Sequence, residues 1–203
     1  MDKLKVSILG AGRIAATMAE TLAKMDDVIS YSVAARDLDR AQAFAEKYGF
    51  EKAYGSYEEM LQDDGTDLVY IATPHSHHYE HALLCLNHGR HVLCEKAFTV
   101  NRKQAEEVLA LAEQKGLLIT EAVWTRYMPF VKPLHDLLAS GAIGKVCSME
   151  ACFGFELSWH DRLVNPALAG GALLDMGIYP LTLASIAFGD DIAHIASRCI
   201  KTD

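Results

Sequence analysis

Short apolar runs alternate with amphipathic segments through the first 121 residues of the chain. The runs are rich in β-branched residues and short enough to be buried strands, whereas the segments between them repeat apolar residues at helical spacing. This alternation is typical of βαβ units and predicts an α/β fold with a doubly wound parallel sheet. The predicted strands are Val6–Leu9, Val28–Ala35, Leu68–Ala72, His91–Glu95 and Leu117–Glu121.

Several of the intervening helices have recognisable ends. Asp37 stands at the N-cap of a helix that Gly49 would stop, Ser56 begins a capping box, and Gly116 follows a further helix. These signals support the helical interpretation of the segments between the strands.

The pattern changes after residue 121, which predicts a first domain over residues 1–121 and a second over 122–203. Strand-like patterns at Lys145–Phe155 and Ile192–Ile200 flank an apolar helix, Gly171–Phe188, so we expect a partial α+β domain with a mixed open sheet. Two strands are too few to cover so apolar a helix. We therefore expect this domain to be incomplete, with an apolar face that is exposed or buried by another copy of the chain.

Charge and composition exclude several classes of partner. The 203 residues include 27 acidic and 19 basic side chains, a formal charge of −8, and no long basic run, so we expect neither nucleic acid nor a membrane as a partner. The apolar stretch near the end is interrupted by Asp175 and Pro180, as expected of a core helix. Five cysteines without a C-x-x-C pair, and the lack of a signal-peptide pattern, predict a cytoplasmic protein with reduced thiols.

A glycine-rich turn follows the first predicted strand. Gly10, Gly12 and Ala15 fit the pattern G-x-G-x-x-G/A, in which the first glycine allows a tight turn and the second lets the backbone approach a pyrophosphate. The helix that follows directs its N-terminus at the phosphates. The segment therefore predicts a dinucleotide-binding Rossmann domain, with Arg13 and Ile14 also at the cofactor.

The end of the second predicted strand indicates which dinucleotide binds. An NAD-binding domain carries an acidic residue there for the ribose hydroxyls, but this chain has Ala35 followed by Arg36. A guanidinium can pair with a 2′-phosphate. The sequence therefore favours NADP over NAD. Asp37 is an alternative ribose ligand, although a helix N-cap is its simpler role.

Polar residues follow two further strands, at the sheet edge that also carries the glycine turn. Thr73, Pro74 and His78 follow Leu68–Ala72, and Glu95 leads into Lys96 at the end of the next strand. Ligands of open α/β sheets bind at this edge, so all five are candidate cofactor residues. Lys96 is also placed to hydrogen-bond a substrate hydroxyl, the alternative being a solvated loop lysine.

Two histidines of this region have the spacing of a pair of metal ligands. His77 and His81 are one helical turn apart, as a zinc pair would be, but no third ligand with metal spacing accompanies them. We therefore predict no metal.

Taken together, these segments resemble the Gfo/Idh/MocA oxidoreductases, and within that family the NADP-dependent branch that acts on D-xylose and cyclic diols. The matching segments are Val6–Ala15, Ile71–Pro74 with His78, His91–Lys96, Glu121–Tyr127 and Gly170–Pro180. The resemblance implies reversible hydride transfer between NADP and a carbinol carbon of a sugar or cyclic diol. It also implies a homodimer or a higher homo-oligomer.

The same resemblance implies roles for single residues. Lys96 would contact the reacting hydroxyl, Asp175 would orient the substrate, and Tyr179 would be the acid/base. Asp175 and Tyr179 are four residues apart and therefore share one helix face. Trp124 would lie at the cofactor. Ala97 departs from the family, which has proline after the lysine.

Two other functions stay open at this stage. One is a non-catalytic NADP-binding regulator, and the other is a fragment of a longer family member that binds dinucleotide without turnover. Asp175 and Tyr179 would then serve only for capping and packing.

Overall fold

The structure is a computed structural model that describes residues 3–157 and 159–198. The chain divides into two compact units. The first consists of Met1–Val123 and Phe155–Asp175, and the second of Trp124–Gly154 and Met176–Asp203. A single boundary at residue 121 does not describe this division, because the segment Phe155–Asp175 returns to the first unit.

The first unit is built on a six-stranded parallel sheet with the strand order β3-β2-β1-β4-β5-β6. This confirms the predicted doubly wound fold. The order reverses between β1 and β4, and such a switch point opens a crevice at the carboxyl ends of the strands. The strands are β1 (Leu4–Leu9), β2 (Val28–Ala34), β3 (Lys52–Tyr54), β4 (Leu68–Ile71), β5 (His91–Cys94) and β6 (Ile119–Glu121).

Eight α-helices connect or follow these strands within the described residues. They are α1 (Arg13–Leu22), α2 (Leu38–Tyr48), α3 (Tyr57–Gln62), α4 (His78–Asn87), α5 (Arg102–Lys115), α6 (Val131–Ala139), α7 (Asp161–Val164) and α8 (Ile178–Phe188). Short 3-10 turns lie at His75–His77, Trp124–Tyr127 and Pro166–Leu168, and a π-helical turn lies at Leu173–Gly177.

Helices cover the sheet on both faces. Along β4, Val69 and Ile71 belong to one buried cluster and Tyr70 to the other, as expected when successive side chains point to opposite faces. The first cluster includes residues of α3, α4 and α5, and the second includes residues of α1 and α2. The sheet is therefore a buried central layer, and only its ends are available for a site.

The predicted helix ends are confirmed. The Asp37 side chain accepts a hydrogen bond from the backbone N–H of Arg40, and Ser56 caps α3 in the same way. Gly49 and Gly116 end α2 and α5 in the left-handed conformation that glycine favours. Capping is thus the observed role of Asp37.

The second unit corrects the sequence prediction. The described residues of Lys145–Phe155 and 192–198 contain no β-strand, so the mixed sheet predicted for this domain is not formed there. Cys199 and Ile200, the end of the second predicted strand, lie outside the described residues. Alternating apolar positions supply one face for packing, but a strand also needs a hydrogen-bonded neighbour, which the pattern alone does not guarantee.

The predicted apolar helix is formed as a π-helical turn followed by α8, and much of its surface is exposed. Leu173 is 69% exposed and Leu181 is 59% exposed, whereas Ile186 is buried. This confirms the expected uncovered apolar face. The stretch Pro166–Phe188 also has the length and apolar composition of a membrane-crossing helix, a criterion that core helices of other proteins meet as well.

At the end of α3, the carboxylate of Asp63 accepts hydrogen bonds from polar groups of two strands, β2 and β3, and of a loop. It accepts hydrogen bonds from the hydroxyls of Tyr31 (2.8 Å) and Tyr54 (2.5 Å), from Lys52 Nζ (2.6 Å) and from the N–H of Gly65 (2.9 Å). Burial on its own raises the pKa of the Asp63 carboxyl, but these four donors outweigh it and hold the pKa well below its ordinary value.

We predict that Asp63→Asn lowers the free energy of unfolding by about 1 to 3 kcal/mol, since hydrogen bonds to a charged acceptor are lost. Because the carboxyl pKa is lower in the folded state, its contribution is present above the ordinary pKa of 3.8 and is lost as the pH falls. The unmodified chain should therefore lose stability more steeply below about pH 4 than the variant.

Urea unfolding between pH 3 and pH 7 measures both effects. The matched control is Asp64→Asn, a neighbouring carboxylate with a fully exposed side chain. Equal losses in the two variants, or parallel pH profiles for Asp63→Asn and the unmodified chain, would contradict this account.

Candidate active site

The glycine turn after β1 lies against the loop after β4. Gly10 has a φ of +104°, and a Cβ at this position would lie 3.1 Å from the carbonyl oxygen of Ala72 and 3.3 Å from Cγ2 of Thr73. Only glycine combines this backbone angle with so close an approach. The two loops therefore meet at the switch point of the sheet.

The N-terminus of α1 is open toward this crevice. Gly12 is the N-cap and provides no side-chain cap, and a Cβ built there would meet no atom within 4 Å. Ala15 is fully buried, whereas Arg13 and Ile14 in the first turn are exposed. The first N–H groups of the helix are thus free of a capping side chain, which fits a dinucleotide pyrophosphate.

Arg40, which the sequence patterns do not indicate, forms hydrogen bonds to this turn. Arg40 donates from Nη2 (2.8 Å) and Nε (3.2 Å) to the carbonyl oxygen of Ala11, between the two glycines. No motif predicts this contact, because it depends on how α2 lies beside the turn. Arg36, at the end of β2, is exposed, and its charge acts on Tyr57 and His81 nearby.

The hydroxyl of Thr73 is held by α4. It lies 2.9 Å from Nδ1 of His81, whose ring stacks on that of His77 with centroids 5.6 Å apart. Burial lowers the pKa of His81 to about 4, so this imidazole is neutral at physiological pH. Within the described ranges, no cluster of three histidine, cysteine or acidic side chains could hold a metal ion.

The polar side-chain atoms of two predicted cofactor residues, His78 and Glu95, lie within hydrogen-bond distance of other protein groups. His78 is fully buried, and its ring nitrogens lie 2.7 Å from the Ala97 oxygen and 2.8 Å from the Thr73 oxygen. The Glu95 carboxylate accepts hydrogen bonds from the hydroxyl of Tyr70 and from the N–H of Lys96. Burial raises the pKa of this carboxyl. Both side chains therefore support the loops rather than present free polar atoms.

Lys96 and Asp175, predicted as catalytic, lie together in the first unit. Lys96 Nζ donates to Asp175 Oδ1 (3.0 Å) and to the Asp175 backbone oxygen (2.6 Å). Both side chains are largely buried, with exposed fractions of 14% for the lysine and 8% for the aspartate. The peptide bond between Lys96 and Ala97 is cis.

Two further groups that the sequence did not indicate surround the same carboxylate. Arg162 Nη1 lies 3.3 Å from Asp175 Oδ1, and Nε2 of His75 lies 4.0 Å from it. Burial on its own raises the pKa of Asp175, but the hydrogen bond and charge of Lys96, together with Arg162, hold it below its ordinary value. Burial lowers the pKa of His75 to about 4. The centre therefore holds an ionised aspartate between two cations.

Tyr179 and Trp124 lie together in the second unit. Trp124 Nε1 donates to the hydroxyl of Tyr179 at 3.2 Å, and the ring of Phe153 lies 5.0 Å from that of Tyr179. All three line a cavity of about 250 Å³ whose other walls are mostly apolar and include Leu183 and Ile186. Tyr179 therefore presents its phenol beside a largely apolar space.

Comparison with known proteins agrees with this architecture. Residues 4–123 match the family described as "Oxidoreductase family, NAD-binding Rossmann fold", and residues 131–202 match the "GFO/IDH/MocA C-terminal domain". The structure of KijD10, a 3-ketoreductase from Actinomadura kijaniata in complex with NADP and TDP-benzene, superposes with a TM-score of 0.85 at 32% identity. The superposition covers 93% of this chain and 58% of that one.

Curated relatives are more similar in sequence. Trans-1,2-dihydrobenzene-1,2-diol dehydrogenase of Mus musculus is 42% identical over 189 residues, which are 92% of this chain and 56% of the relative. D-xylose 1-dehydrogenase (NADP(+)) of Hypocrea jecorina is 42% identical over an alignment of 201 positions that covers 88% of this chain and 51% of the relative. The chain thus spans about half the length of the curated relatives it matches. It belongs to the Gfo/Idh/MocA oxidoreductase family.

Proposed function

We propose that the chain is the NADP-binding and catalytic part of an oxidoreductase that acts on a CH–OH group of a sugar or cyclic diol. The observation that carries this proposal is the buried Lys96–Asp175 pair, which lies at the same sheet edge as the glycine turn. Two relatives at 42% identity bear names that specify a diol and a sugar as substrates.

The glycine turn and the loop after β4 in the first unit fit a bound dinucleotide. Gly10 and Gly12 would place the backbone against the pyrophosphate, while Thr73 and Pro74 line the opposite loop. When bound, an oxidised nicotinamide supplies the acceptor for a hydride from the substrate carbon. The remaining tasks, which are to bind and orient the substrate and to move its hydroxyl proton, fall to side chains of the chain.

Lys96 is suited to bind the reacting hydroxyl oxygen. Its ammonium is largely buried and fixed by Asp175, so its direction is set before a substrate arrives. Asp175 keeps its negative charge because its pKa is depressed, and it can accept a hydrogen bond from a second substrate hydroxyl. A vicinal diol would engage both groups.

Tyr179 is proposed as the acid/base that takes the hydroxyl proton as the carbonyl forms. A phenol both donates and accepts hydrogen bonds, as this exchange requires. Trp124 donates to the Tyr179 oxygen, which stabilises negative charge on it when the proton leaves. In the direction of reduction, Tyr179 returns the proton to the alkoxide oxygen.

The preference for NADP is proposed from the end of β2. Ala35 is buried there in place of an acid, and the exposed Arg36 follows it. A guanidinium binds a 2′-phosphate through charge-assisted hydrogen bonds, whereas an acid would repel it. The charges of Arg36 and Arg40 both act on Tyr57, so Arg40 adds a second positive charge near Arg36.

We also propose a reducing, cytoplasmic location and self-association. Cys85, Cys94, Cys147 and Cys152 are free thiols in the described residues, which agrees with the proposed reducing location.

The proposed self-association rests on the exposed leucines of the second unit, which are the surface that a second copy would cover.

We predict that Arg36→Ala narrows the preference for NADP over NAD. NADP affinity should fall by about tenfold to a hundredfold, because a charge-assisted contact to the 2′-phosphate is lost, while NAD affinity changes little. Fluorescence titration with NADPH and NADH measures both. Arg102→Ala, an exposed arginine on α5, is the control. Equal affinities of the unmodified chain for the two cofactors would contradict the assignment.

We further predict that Lys96→Met lowers kcat at least about a hundredfold while the dissociation constant for NADPH stays within a few-fold. The variant removes a substrate contact but leaves the glycine turn intact. Initial rates of NADP reduction with D-xylose and with a trans-dihydrodiol measure turnover. Lys103→Met, an exposed lysine on α5, controls for loss of charge. If Lys96→Met kept most of the activity, the lysine would have no part in the chemistry.

A further inference from the structure

We propose that His78 is a positioning residue, whose imidazole fixes the distance between the turn after β4 and the loop that carries Lys96. The proposal rests on the proposed function only in that it assigns these two segments to the cofactor and to the substrate. His78 itself would touch neither ligand.

The geometry of the ring carries this inference. His78 is the first residue of α4 and is fully buried. Its Nε2 lies 2.8 Å from the carbonyl oxygen of Thr73, and its Nδ1 lies 2.7 Å from that of Ala97. Thr73 follows β4, and Ala97 follows β5 and adjoins Lys96. One side chain thus bridges the backbones of both loops.

This bridge lies where the sheet itself stops connecting the two loops. β4 and β5 pair from Leu68 to Ile71, and the N–H of Glu95 still donates to the carbonyl oxygen of Ile71 at 3.0 Å. Beyond that bond the backbones separate into the two loops. The imidazole continues the connection across the gap through two backbone acceptors.

The bridge consists of one ring nitrogen within hydrogen-bond distance of a carbonyl oxygen on each side of the ring. A carbonyl oxygen only accepts, so a neutral imidazole can satisfy one of the two and a protonated imidazolium both. Burial lowers the pKa of His78, while the Ala97 and Thr73 carbonyls raise it. The charged or titratable groups around it are His75, whose ring centroid is 5.7 Å away, His77 and Lys96.

Loss of the bridge should disturb both the loop assigned to the cofactor and the loop assigned to the substrate. A shift at Thr73 disturbs the contact with Gly10, where a Cβ would lie only 3.3 Å from the threonine methyl. A shift at Ala97 moves the neighbouring backbone of Lys96 and so the direction of its ammonium toward Asp175. Cofactor affinity and turnover should therefore fall together.

The test compares three variants of the 203-residue chain. His78→Phe keeps an aromatic ring and removes both ring nitrogens, and His78→Gln retains one polar nitrogen, that of the amide. His88→Phe is the matched control, because His88 ends the same helix and is exposed, and its ring nitrogen Nδ1 lies 2.8 Å from the Leu84 carbonyl oxygen of the same helix. The measurements are the NADPH dissociation constant, kcat at saturating NADPH, the melting temperature, and the backbone amide chemical shifts of Thr73 and Ala97.

We expect His78→Phe to raise the NADPH dissociation constant about tenfold, to lower kcat by a similar factor and to shift both amide signals. His78→Gln should lie between this variant and the unmodified chain, and His88→Phe should match the unmodified chain. A residue that only stabilises the fold would lower the melting temperature and leave the other three quantities unchanged.

The proposal is overturned if folded His78→Phe binds NADPH within twofold of the unmodified chain at unchanged kcat. If His78→Phe does not fold, the same result for His78→Gln overturns it. If the unmodified chain binds no NADPH, the proposed function fails, and the amide shifts alone decide about His78. Unchanged shifts at Thr73 and Ala97 would then contradict the bridge.

Discussion

The buried carboxylate of Asp175 is the interaction on which the candidate site depends. Removing a charge from water is costly unless partners replace the lost hydration, and here Lys96 and Arg162 do so from two different segments. The contact between Lys96 and Asp175 joins the segment Phe155–Asp175 to the loop after β5, within the first unit. The same contact fixes the ammonium of Lys96 before any substrate is bound, which is the preorganisation that the proposed contact with a reacting hydroxyl requires.

The sheet supplies the second constraint. Because its strand order reverses between β1 and β4, a crevice opens at the carboxyl ends of these strands, beside the point where the loops after them meet. Gly10 lies at the bottom of that crevice, where its approach to the Ala72 carbonyl leaves no room for a side chain. The match of residues 4–123 to the family described as "NAD-binding Rossmann fold" agrees with a first unit that binds a dinucleotide. His78, at the start of α4, lies within hydrogen-bond distance of both the loop after β4 and the loop that carries Lys96.

Much of the first unit was predictable because its signals are local. Five of the six strands, the glycine turn and the helix caps at Asp37 and Ser56 were found from short patterns. β3 was missed because Lys52–Tyr54 does not belong to a longer apolar run, whereas the equally short β6 lies at the end of the run Leu117–Glu121. Arg40, Arg162 and His75 were missed because their roles come from tertiary contacts that no spacing encodes. The two strands predicted in the second unit are not formed in the described residues. A strand needs a hydrogen-bonded neighbour as well as its own apolar pattern, and the sequence of one segment does not show that neighbour.

We propose hydride transfer by this chain from a carbinol carbon to NADP. It is tested most directly with D-xylose deuterated at C1, or a cyclic diol deuterated at its carbinol carbons, incubated with the chain and NADP. The account predicts that deuterium appears at C4 of the reduced nicotinamide and that the rate falls relative to the unlabelled substrate. Reduction of NADP without transfer of the label, or no reduction with either substrate class, would contradict it.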